Sequence, residues 1–275
     1  MLVSSESVYM EVLNLSDKEF SLFQNMIYDI AGINLSANKK ALVSSRLAKR
    51  VKHYGLRSYS QYFELLKSKL HNEHQIAIDL LTTHETFFFR EPKHFEFLRD
   101  RIIPNWNQSS HKVWSAASSS GEEAYTLAMI LAAHANNKNW EIVGTDISTQ
   151  ILERARSGHY AIERADNIPK QYLSKYCLKG IGQQQGTFII APEIRKQVQF
   201  IHANLKDNLG HLGSFDVIFL RNVLIYFDVK TKQQVVSQLL KQLKPNGYFI
   251  VGHSESLNGV VDNLRAVVPS VYQKL

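Results

Sequence analysis

A helical segment followed by a larger α/β domain is the fold that three observations predict. Residues 16 to 85 carry apolar side chains at helical spacing with no strand hairpin among them. From Val113 onward, short β-branched and aromatic runs alternate with helical stretches. The run FDVIFLRNVLIYF, Phe215 to Phe227, passes from a buried-strand pattern straight into Arg221, Asn222 and Tyr226. Ligands of open α/β sheets sit at the carboxyl ends of such strands, so this third observation predicts a pocket as well as a fold. A strand end followed by an ordinary polar loop would read the same over these residues alone.

Global properties narrow the class. A chain of 275 residues with 44% apolar content can hold one large or two modest globular domains. The single cysteine, Cys177, excludes an internal disulfide, and Glu6 and Glu11 stand where a signal peptide would be basic and then apolar. The longest apolar-rich run, Ala124 to Ala133, is too short to span a bilayer. A cytoplasmic location without direct membrane insertion is therefore expected. No metal-ligand spacing such as H-E-x-x-H occurs, so no metal is expected either. The net charge of +7, from 32 basic and 25 acidic residues, favours an acidic partner without saying of which kind.

Taken in order, Ser16 with Glu19 forms a capping-box pattern ahead of Phe20, Phe23 and Ile27, and Ser58 precedes a second periodic stretch, Tyr62, Leu65 and Leu66. Between Lys39 and His53 lie six Lys or Arg residues and no acid. Arg46, Lys49, Arg50 and His53 share one helical face, and Val43, Leu47 and Val51 another. Such a face is either solvated or a binding surface; its unmixed sign favours binding. A further helix, Ile76 to Leu81, leads into a linker, residues 82–92, whose three phenylalanines, Phe87 to Phe89, are expected to pack between the domains. Pro92 biases Glu91 away from helix. The helical domain is thus assigned to residues 1–81 and the α/β domain to residues 93–275.

In the α/β part, Lys112 to Ala117 reads as a first strand, Ser118-Ser119-Ser120-Gly121 as a tight loop, and Glu122 to Ala135 as a helix. A second strand, Glu141 to Thr145, ends at Asp146, and Ser148 opens another helix. Small residues let a ligand approach the backbone, and an acid ending the second strand accepts hydrogen bonds from ribose hydroxyls. The dinucleotide fingerprint G-x-G-x-x-G is absent, and Glu122 at the helix start would repel a pyrophosphate, although a carboxylate there is also simply stabilised by the helix dipole. A ligand with ribose, adenine and an ammonium but no phosphate fits better, which points to S-adenosylmethionine. Glycines at 180, 182 and 186, followed by β-rich stretches at 187–190 and 198–201, predict a small antiparallel insertion at about residues 158–200.

The segments THETFFFREP (83 to 92), VWSAASSSGEEAY (113 to 125), GTDIS (144 to 148), FDVIFLRNVLIYF and LKPNGYFIVGHSESL (243 to 257) resemble those of the CheR-type chemoreceptor glutamate methyltransferases. The resemblance extends to SRLAKRV in the basic helix and to the Ser157-Gly158-His159-Tyr160 turn, in the order and spacing of that family. It implies a class I S-adenosylmethionine-dependent methyltransferase domain, Rossmann-like, with a small antiparallel β insertion and a preceding all-α domain. The implied reaction converts glutamate side chains on the cytoplasmic helical bundle of chemotaxis receptors to methyl esters for sensory adaptation, leaving S-adenosylhomocysteine. Carried over by motif, the cofactor contacts are His84, Thr86, Arg90, Glu122, Asp146, Asn204, Leu205, Leu220 and Arg221; Arg90, Arg221 and Tyr226 line the methyl-transfer end. His84 stands where the family commonly has Asn, and Leu220 where relatives often have Cys. In members with this glycine spacing the insertion binds a receptor's C-terminal peptide as an added strand. A nucleic-acid methyltransferase or a non-catalytic cofactor-binding signalling module would share the cofactor fold, but no RNA-binding module or basic-aromatic stripe supports a nucleic-acid partner.

Overall fold

The computed structural model describes residues 14–68, 72–136 and 139–275; Glu6 and Glu11, read above against a signal peptide, lie outside them. The predicted capping box is present: the Ser16 hydroxyl accepts from the Glu19 amide while the Glu19 carboxylate accepts from the Ser16 amide, opening α1 (Asp17–Ala31). The helical domain continues with α2 (Lys40–His53), α3 (Tyr59–Lys67), capped by Ser58, and α4 (Glu73–Leu81). Phe23, Ile27, Val43, Leu47, Tyr59 and Tyr62 meet in its core, so the apolar stripe of α2 faces inward as its spacing requires.

The basic face of α2 departs from expectation. Arg50 forms a two-pronged ion pair with Glu73, its Nε 2.7 Å from one carboxylate oxygen, and the Tyr62 and Tyr54 hydroxyls donate to the same carboxylate at 2.6 and 2.9 Å. Arg46 donates to the Leu80 and Thr82 carbonyls, closing the carboxyl end of α4. Two of the four residues read as one receptor-facing surface are therefore held within the domain, and Lys49, Lys52 and His53 remain exposed. Glu73 is only 2% exposed. Burial alone would raise its pKa, but the bonds from Arg50, Tyr62 and Tyr54 outweigh it and hold the carboxyl below its ordinary value of 4.5. A carboxyl depressed on folding contributes stability above its unfolded pKa that is lost as pH falls through the folded value. Denaturation followed as the buffer is taken below about pH 4.5 should thus show an acid loss of stability that Glu73→Gln flattens, from a lower starting point.

The second domain comprises α5 (Pro92–Phe97), β1 (Ser110–Ala116), α6 (Glu122–His134), β2 (Asn139–Asp146), α7 (Thr149–Ser157), β3 (His159–Ala161), α8 (Lys170–Tyr176), β4 (Cys177–Lys179), β5 (Thr187–Ile190), α9 (Pro192–Arg195), β6 (Val198–His202), β7 (Phe215–Leu220), α10 (Val229–Gln242), β8 (Leu243–Val251), β9 (Leu264–Val268) and β10 (Val271–Lys274). Seven strands form one sheet in the order β6-β2-β1-β7-β8-β10-β9. The first five run parallel, and β10 and β9 close one edge antiparallel. β1, β7 and β8 carry long buried runs because helices cover both faces of the sheet. α6 is buried nearly all round, which fits its almost unbroken apolar sequence.

β3, β5 and β4 form the small antiparallel sheet predicted for the insertion. The stretch Val198–His202, grouped with that insertion on sequence, instead pairs in parallel with β2 at the edge of the main sheet. Strand propensity cannot choose between two sheets, and here β2 supplies the partner. Nor do the three phenylalanines pack between the domains. Phe88 is fully buried in the α/β core against Tyr160 and Phe188, Phe89 packs on Phe95 and Tyr172, and Phe87 is 39% exposed.

The domains are joined by polar contacts. Tyr28 Oη donates to Asp228 at 2.7 Å, Lys206 to the Asp29 carbonyl at 2.6 Å, and the Asn204 amide to the Ile30 carbonyl at 2.7 Å. Asp79 on α4 accepts from the Thr149 and Gln150 amides and so satisfies orphan donors at the start of α7.

Candidate active site

From β1 the chain winds outward through β2 to β6, then returns to β7 beside β1 and winds the other way. The crevice at this reversal lies outside the carboxyl ends of β1 and β7, where Ala117 to Gly121 and Arg221 to Asn222 emerge. The first loop is tight. Ala117 and Ser119 adopt φ of 57° and 51°, and Gly121, at 94°, starts α6 where a Cβ would meet Ala155, Phe200 and the Tyr160 hydroxyl at 3.0–3.1 Å. Of seven non-glycine residues with positive φ among the described residues, three line the crevice, Ala117, Ser119 and Asn222, and two more, Phe89 and Glu91, flank Arg90 in the linker. Each such conformation costs about 1–3 kcal/mol and persists only where surrounding contacts hold it.

A cavity of about 300 Å³ fills the crevice, walled by both domains. Ile33, Leu35, Lys39 and Leu42 come from the helical domain, His84, Thr86, Phe87 and Arg90 from the linker, and Asp146, Asn204, Leu205, Arg221 and Tyr226 from the α/β domain. Asp146 is 5% exposed and accepts from the Ser119 amide at 3.0 Å and the Ser148 amide at 2.9 Å. Burial raises its pKa, against the pull of the neighbouring His84 and of these amides. His84 shares a 2.7 Å hydrogen bond with the Thr82 hydroxyl, and burial lowers its pKa, so the imidazole is neutral at pH 7. The Tyr226 phenol is pushed up by burial and by Glu85, and stays a hydrogen-bond donor.

Arg221 is held through both terminal nitrogens of its guanidinium. Its side chain is 1% exposed, with Nη1 2.9 Å from Glu123, Nη2 3.0 Å from Glu91 and also bonded to the Arg90 carbonyl, and the guanidinium over the Phe95 ring. Arg90 is freer: it donates to the Glu85 carbonyl at 2.8 Å and lies over the exposed face of Phe87, beside the cavity.

Eight of the ten residues expected from sequence line this one cavity: His84, Thr86, Arg90, Asp146, Asn204, Leu205, Arg221 and Tyr226. Leu220 lies beneath it, fully buried in the core on the α10 side. Glu122 is also fully buried and turned away, paired with Arg164 and accepting from the Ser120 hydroxyl at 2.6 Å. Arg164 also donates to the Thr86 carbonyl, so Glu122 meets the linker from behind. The carboxylate that reaches the cavity is its neighbour Glu123, also bonded to the Ser115 hydroxyl. Sequence reading missed Glu123, Glu91 and the wall from the helical domain. The paired acids at 122–123 signalled the first, and nothing local signalled the others.

Glu91, His94 and His253 come close enough together to suggest metal ligands. The Glu91 oxygens are taken by Arg221, by Asn222 at 3.2 Å and by the His253 amide at 3.2 Å, with the Arg221 cation on the same carboxylate. Burial, with Arg221 and His253, pushes the His94 imidazole down to about 3, so it stays neutral.

The cavity fits S-adenosylmethionine. The buried Ser118 and Ser119 hydroxyls on its wall have no hydrogen-bond partner within the protein, a carboxylate ends β2, apolar side chains gather near Leu205, and charges of both signs gather near Arg90 and Glu123. Sheet order, acid and crevice define an S-adenosylmethionine-dependent methyltransferase. Residues 84–272 match the CheR methyltransferase, SAM binding domain, and residues 18–82 the CheR methyltransferase, all-alpha domain. The chain is 39% identical over 252 residues to the chemotaxis protein methyltransferase of Escherichia coli K12, covering 90% of this chain and 87% of the relative. It is 38% identical over 275 residues to that of Borreliella burgdorferi, covering 95% and 96%. The chain belongs to the CheR family of chemotaxis protein methyltransferases.

Proposed function

We propose that the chain methylates glutamate side chains on the cytoplasmic helical bundle of chemotaxis receptors, giving glutamate 5-methyl esters and S-adenosylhomocysteine. The observation that carries this reading is the single cavity that joins Asp146 and Leu205 at one end to Arg90 and Tyr226 at the other. The bound cofactor supplies an activated methyl group on a sulfonium. Asp146 holds the ribose hydroxyls, and Leu205 with the backbone at Asn204 borders the adenine; the Asn204 side-chain amide is committed to Ile30. Arg90 takes the methionine carboxylate and Glu123 its ammonium. A substrate glutamate is ionised at neutral pH and needs no general base, so positioning and desolvation carry the rate. Tyr226 donates its hydroxyl to orient the incoming carboxylate.

The test is methyl transfer from labelled cofactor to a receptor cytoplasmic fragment. Base-labile label on the fragment supports the proposal, whereas base-stable label, or label on RNA instead, would overturn it. Receptor recognition falls to the exposed part of α2. Reversing Lys49 and Lys52 to Glu should slow receptor methylation several-fold or more and reduce its salt dependence, with S-adenosylhomocysteine affinity unchanged. Edge strand β4, with Leu178 53% exposed and Ile181 beyond it 83% exposed, supports addition of a receptor C-terminal peptide as a further strand.

A further inference from the structure

We propose that Glu91, which does not line the cavity, is the positioning residue that sets Arg90 for the methionine end of the cofactor. The inference rests on the reading of Arg90 just given. Pro92 disfavours the right-handed helical conformation at Glu91 and biases it to extended backbone. Glu91 instead takes the left-handed conformation, φ 57° and ψ 68°. A β-carbon strains that conformation, and the carboxylate contacts offset the strain. Arg221 donates to Glu91 at 3.0 Å, Asn222 and the His253 amide each at 3.2 Å, and His94 lies at 3.4 Å. Residues just past the ends of β7 and β8 thus converge on this one side chain of the linker.

The bonding of Arg221 gives the arrangement its direction. The same Nη2 that meets the Glu91 carboxylate also donates to the Arg90 carbonyl, so Glu91 and the backbone before it are gripped by one group. With its backbone fixed, Arg90 reaches back to the Glu85 carbonyl and over Phe87, which keeps its guanidinium at the cavity. Burial raises the Glu91 pKa, but Asn222 and Arg221 outweigh it, so the carboxylate is charged at neutral pH. Neutralising it leaves Glu123 as the one charged partner of Arg221 beside the Arg90 carbonyl and weakens the hold on the turn. Arg90 then loses its aim while Asp146 and Leu205, on other strands, keep theirs.

The test compares two ligands on wild type and Glu91→Gln, an isosteric change. S-adenosylhomocysteine carries the amino-acid end; 5′-methylthioadenosine keeps adenine, ribose and sulfur without it. Loss of one charge-assisted contact predicts S-adenosylhomocysteine affinity weakened by about tenfold to a hundredfold in the variant. Methylthioadenosine affinity should stay within about twofold, because its contacts are not routed through Arg90. Equal loss of both ligands, or loss of neither, overturns the positioning role. If Glu91→Gln fails to fold, Glu91→Asp, which keeps the charge but withdraws it by one methylene, takes its place with the same outcomes. Wild-type protein that binds neither ligand would instead remove the cofactor reading beneath the inference.

Discussion

Replacing Arg221 by alanine is expected to destabilise the chain by about 3–5 kcal/mol and to abolish methyl transfer. The guanidinium is 1% exposed and sits between Glu91 and Glu123, themselves 17% and 14% exposed. Its removal leaves two carboxylates facing each other in a poorly solvated pocket, and takes the donor from the Arg90 carbonyl. Breaking a buried pair by removing one member costs far more than the pair itself contributes, because the other charge stays behind. A loss of that size is a large share of the stability of an ordinary domain. Arg221→Lys keeps the charge but cannot reach three acceptors with a fork, so it should fall between the two. Urea denaturation measures the first effect and labelled transfer the second. A wild-type midpoint for the alanine variant would show that the network is dispensable.

Asp146→Asn is expected to weaken cofactor binding by about a hundredfold with little change in fold. The asparagine oxygen can still accept one of the two amide bonds that organise the loop, from Ser119 or Ser148. What it loses is the charge and the spare lone pairs through which two ribose hydroxyls would be held. Titration calorimetry with S-adenosylhomocysteine reads the effect directly. Affinity within a few-fold of wild type would mean that the acid serves only the loop.

Much of this site could be read from local pattern. β7 runs from Phe215 to Leu220 and the short turn after it from Leu224 to Tyr226, as the shift from apolar run to polar pair to apolar run suggests. Strand ends in an α/β sheet converge by topology, so residues at three such ends meet without any long-range information. The misreadings have the opposite character. Arg50 looks solvent-facing by helical spacing, and only Glu73, 23 residues on and on another helix, turns it inward. Glu122 and Glu123 are adjacent in sequence but about 100° apart around a helix, and spacing alone does not say that one meets Arg164 while the other reaches the cavity. The phenylalanine cluster calls for burial but does not say in which domain. In each case the deciding partner is distant in sequence and carries no spacing signal.

The cavity wall has a thermodynamic consequence. Ile33 and Leu42 belong to one folding unit, Leu205 and Asp146 to another, and between them run hydrogen bonds such as Asn204 to Ile30. A ligand that touches both units binds only their docked state, so its binding energy is added to the coupling between them. Heating the ligand-free chain can therefore melt the four-helix unit ahead of the sheet, and saturating product should merge the two transitions into a single calorimetric peak. By the same linkage, product that touches both units favours their docked arrangement. Release of product is then coupled to the parting of the two units, which ties turnover to the strength of the contacts between them.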